Sequence, residues 1–478
     1  MKILSTTLFV VVLELICLVQ ITVSEKCLEY ISPFYQKTKM IDCPMIHSKD
    51  SKDKRQTSSK SDNMITVDFQ CLIDDKQLCK KVEQVFITAG KFITATFNLK
   101  SIISVNAQFL DFCKTYGKCD KDVIILGAAG PARMIPYQDP KENKIRFYPQ
   151  ALYKQMNFPI EHPEFGPNEI MATFNSNTSY WFEGDPLPML EKQSDMLYVV
   201  IHEMIHGLGF TTSWDDYFGI KALTPAIGGT TKPPTPGEIT SQSDELQSSQ
   251  FFELISDKFL VLLPSGKLVS SIADEINKFQ FKIETLSSTD GIASEFSASP
   301  QFPIAKNMYN TAMTHGAMGF LTIPPSDQLT REQILNNVII LETSLIPYQH
   351  GSSVAHTDFD TYVNSSDFLM LFTYPKTATL GQIMSAVGST NTTGPIGPKL
   401  RLLLGSLGYE VKKEYTPPVK LSSIPIKNYN PSNTYNKNNN NYNDMNNSSF
   451  ICVNIILNLV CIIIIFFNSI KSLNLSGK

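Results

Sequence analysis

The chain has 478 residues, of which 42% are hydrophobic, enough for one large or two medium-sized domains with a buried core. Its formal net charge is −4, and the sequence contains no basic stripe with interleaved aromatic residues. These properties exclude the basic class of nucleic-acid-binding surface, so no nucleic-acid partner is expected.

Residues 1–24 are typical of a secretory signal peptide. Lys2 precedes a run over 8–19 that is apolar except for Glu14, and small residues surround the expected cleavage point near Ser24. A buried N-terminal helix is the alternative. Because the run is too short to span a bilayer comfortably, we predict export through the secretory pathway.

An exported protein is expected to form disulfides. Six cysteines lie between the leader and the C-terminal region: Cys27, Cys43, Cys71, Cys79, Cys113 and Cys119. About 15 connectivities are conceivable, and the sequence-local pairs are Cys71 with Cys79 and Cys113 with Cys119. No cysteine lies between Cys119 and Cys452, so no thiolate ligand is expected from that part of the chain.

Residues 25–63 are a candidate propeptide and polar linker. Residues 48–63 are charged and polar without periodicity, and Lys54-Arg55 is a candidate processing site. If 25–55 is a propeptide, the thiolate of Cys27 or Cys43 could cap a metal in the precursor. The alternative is an ordinary surface linker beside a Cys27–Cys43 disulfide.

The main domain is predicted over 64–413, with an N-terminal lobe at 64–209 and a C-terminal lobe at 210–413. The periodicity predicts strands over 65–69, 102–109 and 123–126, a helix over 80–94 and an edge strand over 169–174. Residues 127–131 read as a turn, 211–249 as a long surface loop and 249–262 as a helix. The expected class is α+β, with a mixed sheet supporting one central helix.

That central helix is predicted within 194–210, SDMLYVVIHEMIHGLGF. Ser194 or Asp195 can cap its start, and Gly207 and Gly209 mark its end. His202 and His206 are four residues apart, so both imidazoles lie on one face and can bind one Zn²⁺. Glu203 is placed to accept a proton from a water that the metal activates.

A catalytic zinc usually has three protein ligands, and the third is not local. The compact HExxHxxGxxH pattern is excluded because residue 212 is Thr212. Several residues are alternatives for the third ligand: the nearby Asp215 and Asp216, Glu253 in a thermolysin-like ExxxD pair with Asp257, and the distant His315, His350 and His356.

The order of four segments resembles leishmanolysin-like metalloproteases, a metzincin group: HEMIHGLGF (202–210), GSSVAHTDFD (351–360), SDFLM (366–370) and LGSLGY (404–409). The resemblance spans roughly 64–411 and is strongest at the first segment. It implies a two-lobed metzincin fold with His356 as the third zinc ligand and a closing helix over 399–407. It also implies a methionine in a turn beneath the metal, for which Met370 is the favoured candidate and Met384 the competing one.

The chain also departs from the best-known members of that group. Its C-terminal lobe has no cysteines, and Thr357 stands where an aromatic residue often follows the third histidine, so the resemblance is to a distant member. The function it implies is a zinc endopeptidase acting on proteins or peptides. A thermolysin-like peptidase that uses Glu253, or a non-catalytic adhesion module on a protease fold, is the alternative.

Three sequons, at Asn177, Asn364 and Asn391, fit a glycosylated exported domain. Residues 414–449 are Asn-rich and predict a flexible stalk, and 450–467 is an apolar run long enough for a type I transmembrane anchor, followed by a short tail at 468–478. A GPI signal is the alternative to that anchor. The expected location is the cell surface.

Overall fold

A computed structural model describes residues 26–33, 38–47, 63–117, 125–139, 142, 144–156, 161–227, 251–281 and 289–423. The expected leader, most of the stalk and the expected anchor lie outside these described residues. Within them, no helix is both long enough and apolar enough to cross a membrane.

The strands are β1 (Lys26–Tyr30), β2 (Thr38–Asp42), β3 (Met45–His47), β4 (Ile65–Cys71), β5 (Ile103–Leu110), β6 (Gly127–Pro131), β7 (Arg133–Gln138), β8 (Ile145–Pro149), β9 (Glu161–Pro163), β10 (Ile170–Asn175), β11 (Ser179–Trp181), β12 (Gln193–Asp195), β13 (Ala226–Ile227), β14 (Phe251–Phe252), β15 (Leu260–Leu262), β16 (Met318–Leu321) and β17 (Val338–Ile340). The helices are α1 (Lys76–Thr96), α2 (Phe112–Tyr116), α3 (Gln150–Tyr153), α4 (Met196–Gly207), α5 (Val269–Ile276), α6 (Thr289–Ser297), α7 (Phe302–Thr311), α8 (Arg331–Asn336), α9 (Phe359–Tyr362), α10 (Leu380–Ala386) and α11 (Pro398–Leu407), with 3-10 turns at Ile255–Phe259 and Phe368–Met370.

The central sheet has the strand order β4-β5-β10-β6 in the described part of the chain. Strands β4, β5 and β10 run parallel, and β6 is antiparallel to β10. The prediction for 169–174 is therefore wrong in one respect, because β10 lies inside the sheet. The predicted turn at 127–131 is also wrong: it is strand β6, and its small residues allow close packing, since a Cβ on Gly127 would lie 2.7 Å from the Phe174 ring.

Two helices pack on this sheet. Asp75 caps α1 by accepting bonds from the backbone amides of Gln77 and Leu78. Helix α4 is buried along nearly its whole length, as expected for a helix whose residues are mostly apolar. Gly207 lets α4 approach β10 closely, because a Cβ there would lie 2.5 Å from Ile170 Cγ2.

The N-terminal segment belongs to the same fold. Strand β1 lies between β2 and β7 in a sheet of order β2-β1-β7-β8, and β3 pairs with β9. The folded unit thus begins before Met64, which corrects the expected boundary. Of the two alternatives for Cys27 and Cys43, the structure shows the disulfide between them, and neither sulfur is then a thiolate.

The Cys71–Cys79 disulfide is present as predicted. Cys113 is also disulfide-bonded, and its expected partner Cys119 lies outside the described residues.

The predicted helix over 249–262 is wrong. That segment contains β14, the 3-10 turn Ile255–Phe259 and β15. The reason is tertiary: the Asp257 side chain is completely buried and accepts bonds from the Leu254 amide and the Thr212 hydroxyl. These bonds replace helical hydrogen bonds, and polar side chains that bond the local backbone favour turns over helices.

The C-terminal lobe contains a sheet of order β15-β16-β17 and the helices α10 and α11. Helix α11 (Pro398–Leu407) agrees with the predicted closing helix over 399–407. Its C-terminal end contacts the N-terminal lobe, because the Tyr409 hydroxyl donates to the Leu208 carbonyl over 2.9 Å.

Candidate metal centre

Helix α4 presents His202, Glu203 and His206. Its start is fixed by Asp195, whose Oδ1 accepts from the backbone amides of Leu197 and Tyr198 at 2.8 and 3.2 Å. The other carboxylate oxygen accepts from the Leu380 amide at 2.7 Å. One buried side chain thus caps this helix and ties it to the start of α10.

His356 reaches the same point from a loop in the C-terminal lobe. The Glu342 backbone donates to the His356 carbonyl over 2.8 Å, and the buried Glu342 carboxylate accepts from the amides of Ser344 and Phe359. Val354, two residues before His356, is buried and has φ 66°, a region that β-branched residues rarely adopt. The surrounding bonds therefore hold this loop in a strained shape that presents His356.

The Nε2 atoms of the three histidines converge. Nε2 of His356 lies 3.1 Å from Nε2 of His202 and 3.3 Å from Nε2 of His206. The ligand atoms of all three rings lie within 4.8 Å of one another. The structure therefore brings together the two histidines of the local motif and the third residue that the resemblance implies.

The opposite nitrogen of each ring is engaged by a backbone carbonyl. Nδ1 of His202 bonds to the Leu369 carbonyl at 2.7 Å, that of His206 to Phe210 at 2.8 Å and that of His356 to Ser352 at 3.1 Å. Because a carbonyl only accepts, each Nδ1 must carry the proton. Each Nε2 atom then has a lone pair and no proton, so the three Nε2 atoms cannot form hydrogen bonds with one another. This donor set fits a cation, and three imidazoles suit Zn²⁺.

The protonation of the rings agrees with a ligand role. Burial holds the pKa of His202 and of His356 well below the ordinary value, and the neighbouring histidines lower both further. Burial lowers the pKa of His206 to about 4. All three imidazoles are therefore neutral at pH 7, the form that binds a metal.

Glu203 follows His202 in helix α4 and is 5% exposed. Its Oε2 accepts from the Ala129 amide in β6 over 2.9 Å, and its Oε1 accepts from the Tyr374 hydroxyl. Burial raises the pKa of Glu203 to about 7, and the Tyr374 and Ala129 hydrogen bonds offset part of that rise. A carboxyl with a pKa near neutrality can both take up and return a proton.

Tyr374 and Ala129 were not found by sequence reasoning. The ring centroid of Tyr374 lies 5.0 Å from that of His202. Neither residue belongs to a spacing pattern around the HExxH motif, and Ala129 acts through its backbone, which leaves no side-chain signal. The one sequence signal for Tyr374 is that it lies close in the chain to Met370, the predicted methionine of the turn.

Met370 lies in the 3-10 turn Phe368–Met370 and is completely buried. Its carbonyl accepts from both the amide and the hydroxyl of Thr357, at 2.8 and 3.0 Å, next to His356. The preceding Leu369 carbonyl is the one that orients His202. This turn thus supports two of the three rings, whereas Met384 lies within α10.

The competing ligand candidates are engaged elsewhere. Glu253, the thermolysin-like alternative for the third ligand, is buried in an ion pair with Lys144. Asp215 pairs with His350, and His315 lies 3.0 Å from Asp358. The Asp216 carboxylate accepts from the backbone amides of residues 220 and 221. The three sequon asparagines, Asn177, Asn364 and Asn391, are all exposed.

The chain belongs to the SPBPB7E8-like family, whose profile matches residues 22–449. Over 387 residues it is 27% identical to a Schizosaccharomyces pombe protein described as "Uncharacterized protein PB7E8.01". The match covers 76% of this chain and 65% of the relative, so the chain spans less than two thirds of the length of that protein. No solved structure matches the chain significantly.

Proposed function

We propose that this protein is a zinc-dependent endopeptidase of the leishmanolysin-like, metzincin type. The observation that carries the proposal is the convergence of three bare Nε2 atoms, two of them from the helix that also carries the buried carboxylate of Glu203. A structural zinc site usually has four protein ligands, whereas three ligands leave a position for water or substrate. A buried carboxylate next to that position is the further requirement for hydrolysis.

His202, His206 and His356 would hold the metal, each oriented by a backbone carbonyl. Zn²⁺ bound there supplies Lewis-acid chemistry, activating a water and polarising the scissile carbonyl. Glu203 would accept the proton of the attacking water as the new carbon–oxygen bond forms. It would then deliver that proton to the nitrogen of the leaving amine, and the carbon–nitrogen bond breaks in this second step. The buried surroundings of Glu203 exclude bulk water from that transfer.

The expected substrates are proteins or peptides, since the proposed reaction is peptide hydrolysis. The leader at 1–24, the Asn-rich stalk and the apolar run at 450–467 support a location at the cell surface, anchored through the membrane. A GPI anchor remains the alternative. The exposed asparagines of the three sequons are compatible with passage through the secretory pathway.

The test is Glu203→Gln in the full chain, a change that keeps the size of the side chain and removes the base. We expect one zinc per chain in both proteins, measured by elemental mass spectrometry. Hydrolysis of a general protein substrate should fall by about 10²–10⁴-fold. Retained hydrolysis in the zinc-loaded variant would refute the role of Glu203, and a zinc-loaded wild-type protein that hydrolyses no peptide bond would favour the adhesion alternative.

A further inference from the structure

Both oxygens of Glu203 are bonded, and their donors come from separate parts of the fold. The Ala129 amide belongs to β6 of the central sheet, and the Tyr374 hydroxyl belongs to the segment after the 3-10 turn Phe368–Met370. The carboxylate is therefore held from the N-terminal lobe on one side and from the C-terminal lobe on the other.

These two bonds leave Glu203 able to act as a base. A carboxylate has about four acceptor positions, and the Ala129 amide and the Tyr374 hydroxyl occupy one on each oxygen. A lone pair remains on each oxygen for the proton of a water. The terminal torsion of a glutamate is otherwise broad, so two donors on opposite oxygens select one orientation of the plane.

The position of the Tyr374 hydroxyl is set by packing of its ring. The ring centroid lies 5.0 Å from that of His202 and 5.8 Å from that of Tyr198. Aromatic pairs at such distances have preferred geometries, so these two contacts favour the observed ring position in addition to the bond to Glu203. The hydroxyl is then already in place as a donor, so little further conformational entropy is lost when it bonds to Glu203.

The segment that carries Tyr374 contains a backbone outlier. Thr377 has φ 64°, although it is β-branched and its side chain is exposed. Such a conformation persists where the surrounding structure imposes it, and it is often found near functional sites. The backbone conformation of this segment is therefore imposed by the surrounding structure and not by the local preference of Thr377.

We propose that Tyr374 is a positioning residue that orients the Glu203 carboxylate for proton transfer. The inference rests on the proposed peptidase function, because Glu203 must be the base for its orientation to affect a rate. It requires that Tyr374 act through Glu203 and leave metal binding alone. The hydroxyl donates its proton in a hydrogen bond and keeps it.

The first test compares zinc-loaded Tyr374→Phe with the wild type on one peptide substrate. We expect kcat to fall about 10- to 100-fold with KM within about twofold, as for a misplaced reacting group. Zinc affinity should be unchanged. A kcat within twofold of the wild type would overturn the proposal, and so would a loss of zinc that accounts for the lost activity.

A matched control is Tyr198→Phe. Its ring also lies close to His202, but its hydroxyl donates to the carbonyls of Phe368 and Leu369 and not to Glu203. Removing that hydroxyl loosens the turn that orients His202, so zinc affinity should fall in this variant. If both variants gave the same loss of zinc and the same loss of rate, Tyr374 would have only a structural role.

A double-mutant cycle shows whether the effect passes through Glu203. In a Glu203→Gln background, Tyr374→Phe should change the residual rate by less than twofold; a full 10- to 100-fold further loss would contradict the proposal. A second cycle needs no peptidase activity: it combines Tyr374→Phe with Glu203→Ala and measures the urea unfolding midpoints of the metal-free proteins. If the two single changes in midpoint do not add up to the change in the double variant, the Tyr374–Glu203 bond is supported; if they do add up, the proposal is overturned. This second cycle stands even if the protein hydrolyses no peptide.

Discussion

The histidines of the centre resist protonation because their rings are withdrawn from water: His202 and His356 are buried and His206 is partly buried. An unfolded histidine has a pKa near 6.5, whereas burial lowers the pKa of His206 to about 4 in the fold. Between these two pH values the unfolded chain binds protons that the folded protein does not bind. The contribution of His206 to stability is therefore present above pH 6.5 and is lost as the pH falls towards 4.

We predict that the stability of the metal-free protein depends on pH through His206. The free energy of unfolding of the wild type, minus that of His206→Asn, should rise by about 2–3 kcal/mol from pH 4 to pH 6.5. Urea unfolding at several pH values measures it. The pKa values of buried Asp195 and Asp257 are raised to about 6, so the contributions of these two residues to stability fall as the pH rises. Both residues are present in the wild type and in His206→Asn, so their contributions cancel in the difference. A difference that is flat with pH would contradict the prediction.

The identity of the third ligand gives a second prediction at this scale. His356→Ala should lose most of its zinc affinity, because two imidazoles remain. Glu253→Gln should keep full zinc affinity and instead lose about 2–4 kcal/mol of stability, since it removes the buried one of the two carboxylates that pair with Lys144 and with the buried Arg146. Metal titration and urea unfolding of both variants test this. Zinc loss in the Glu253 variant without unfolding would reverse the assignment.

At the scale of secondary-structure elements, the sequence predicted the features that depend on residues close together in the chain. Residues four apart on a helix face the same way, so His202 and His206 could be paired with one metal from their spacing alone. Strands β4 and β5 and helix α1 follow regular apolar periods and were found within a few residues. Asp195 could be recognised as a cap because its side chain bonds the adjacent backbone.

The remaining elements depend on contacts between distant residues. Strand β6 is rich in glycine and alanine and reads as a turn, yet its small residues are what allow it to lie against Phe174. His356 has no local signal, because a loop held by Glu342 presents it. The turn at Asp257 replaces a predicted helix because bonds to Thr212 and the local backbone compete with helical ones.

We predict that the approach of α4 to the central sheet controls the metal centre. Gly207→Ala would place a Cβ 2.5 Å from Ile170 Cγ2, and we expect overpacking to cost about 1–3 kcal/mol and to lower zinc affinity by displacing His206. The double variant with Ile170→Ala should recover zinc affinity. Gly130→Ala in β6 is the control, because its Cβ would meet nothing within 4 Å. Equal effects of the two glycine variants, by urea unfolding and zinc titration, would contradict this.

At the scale of the whole molecule, the N-terminal segment is a structural part of the fold. Leu28 packs with Met134, Phe147 and Leu254 in a small separate core, and Glu29 forms an ion pair with Arg133. The Cys27–Cys43 disulfide closes within this segment, and so it does not link the segment to the following domain. Strand pairing and side-chain packing are what would hold it after a cut at Lys54-Arg55.

We therefore predict that cleavage at Lys54-Arg55 leaves residues 26–47 attached. The nicked protein should elute as one species in native gel filtration and separate into two chains on a non-reducing denaturing gel, because no described disulfide joins the two parts. Leu28→Asp should release the segment after the same cut, since it places a charge in the core with Met134 and Phe147. If the wild-type segment separates under native conditions, the pairing of β1 with β7 does not hold it, and the segment behaves as a removable propeptide.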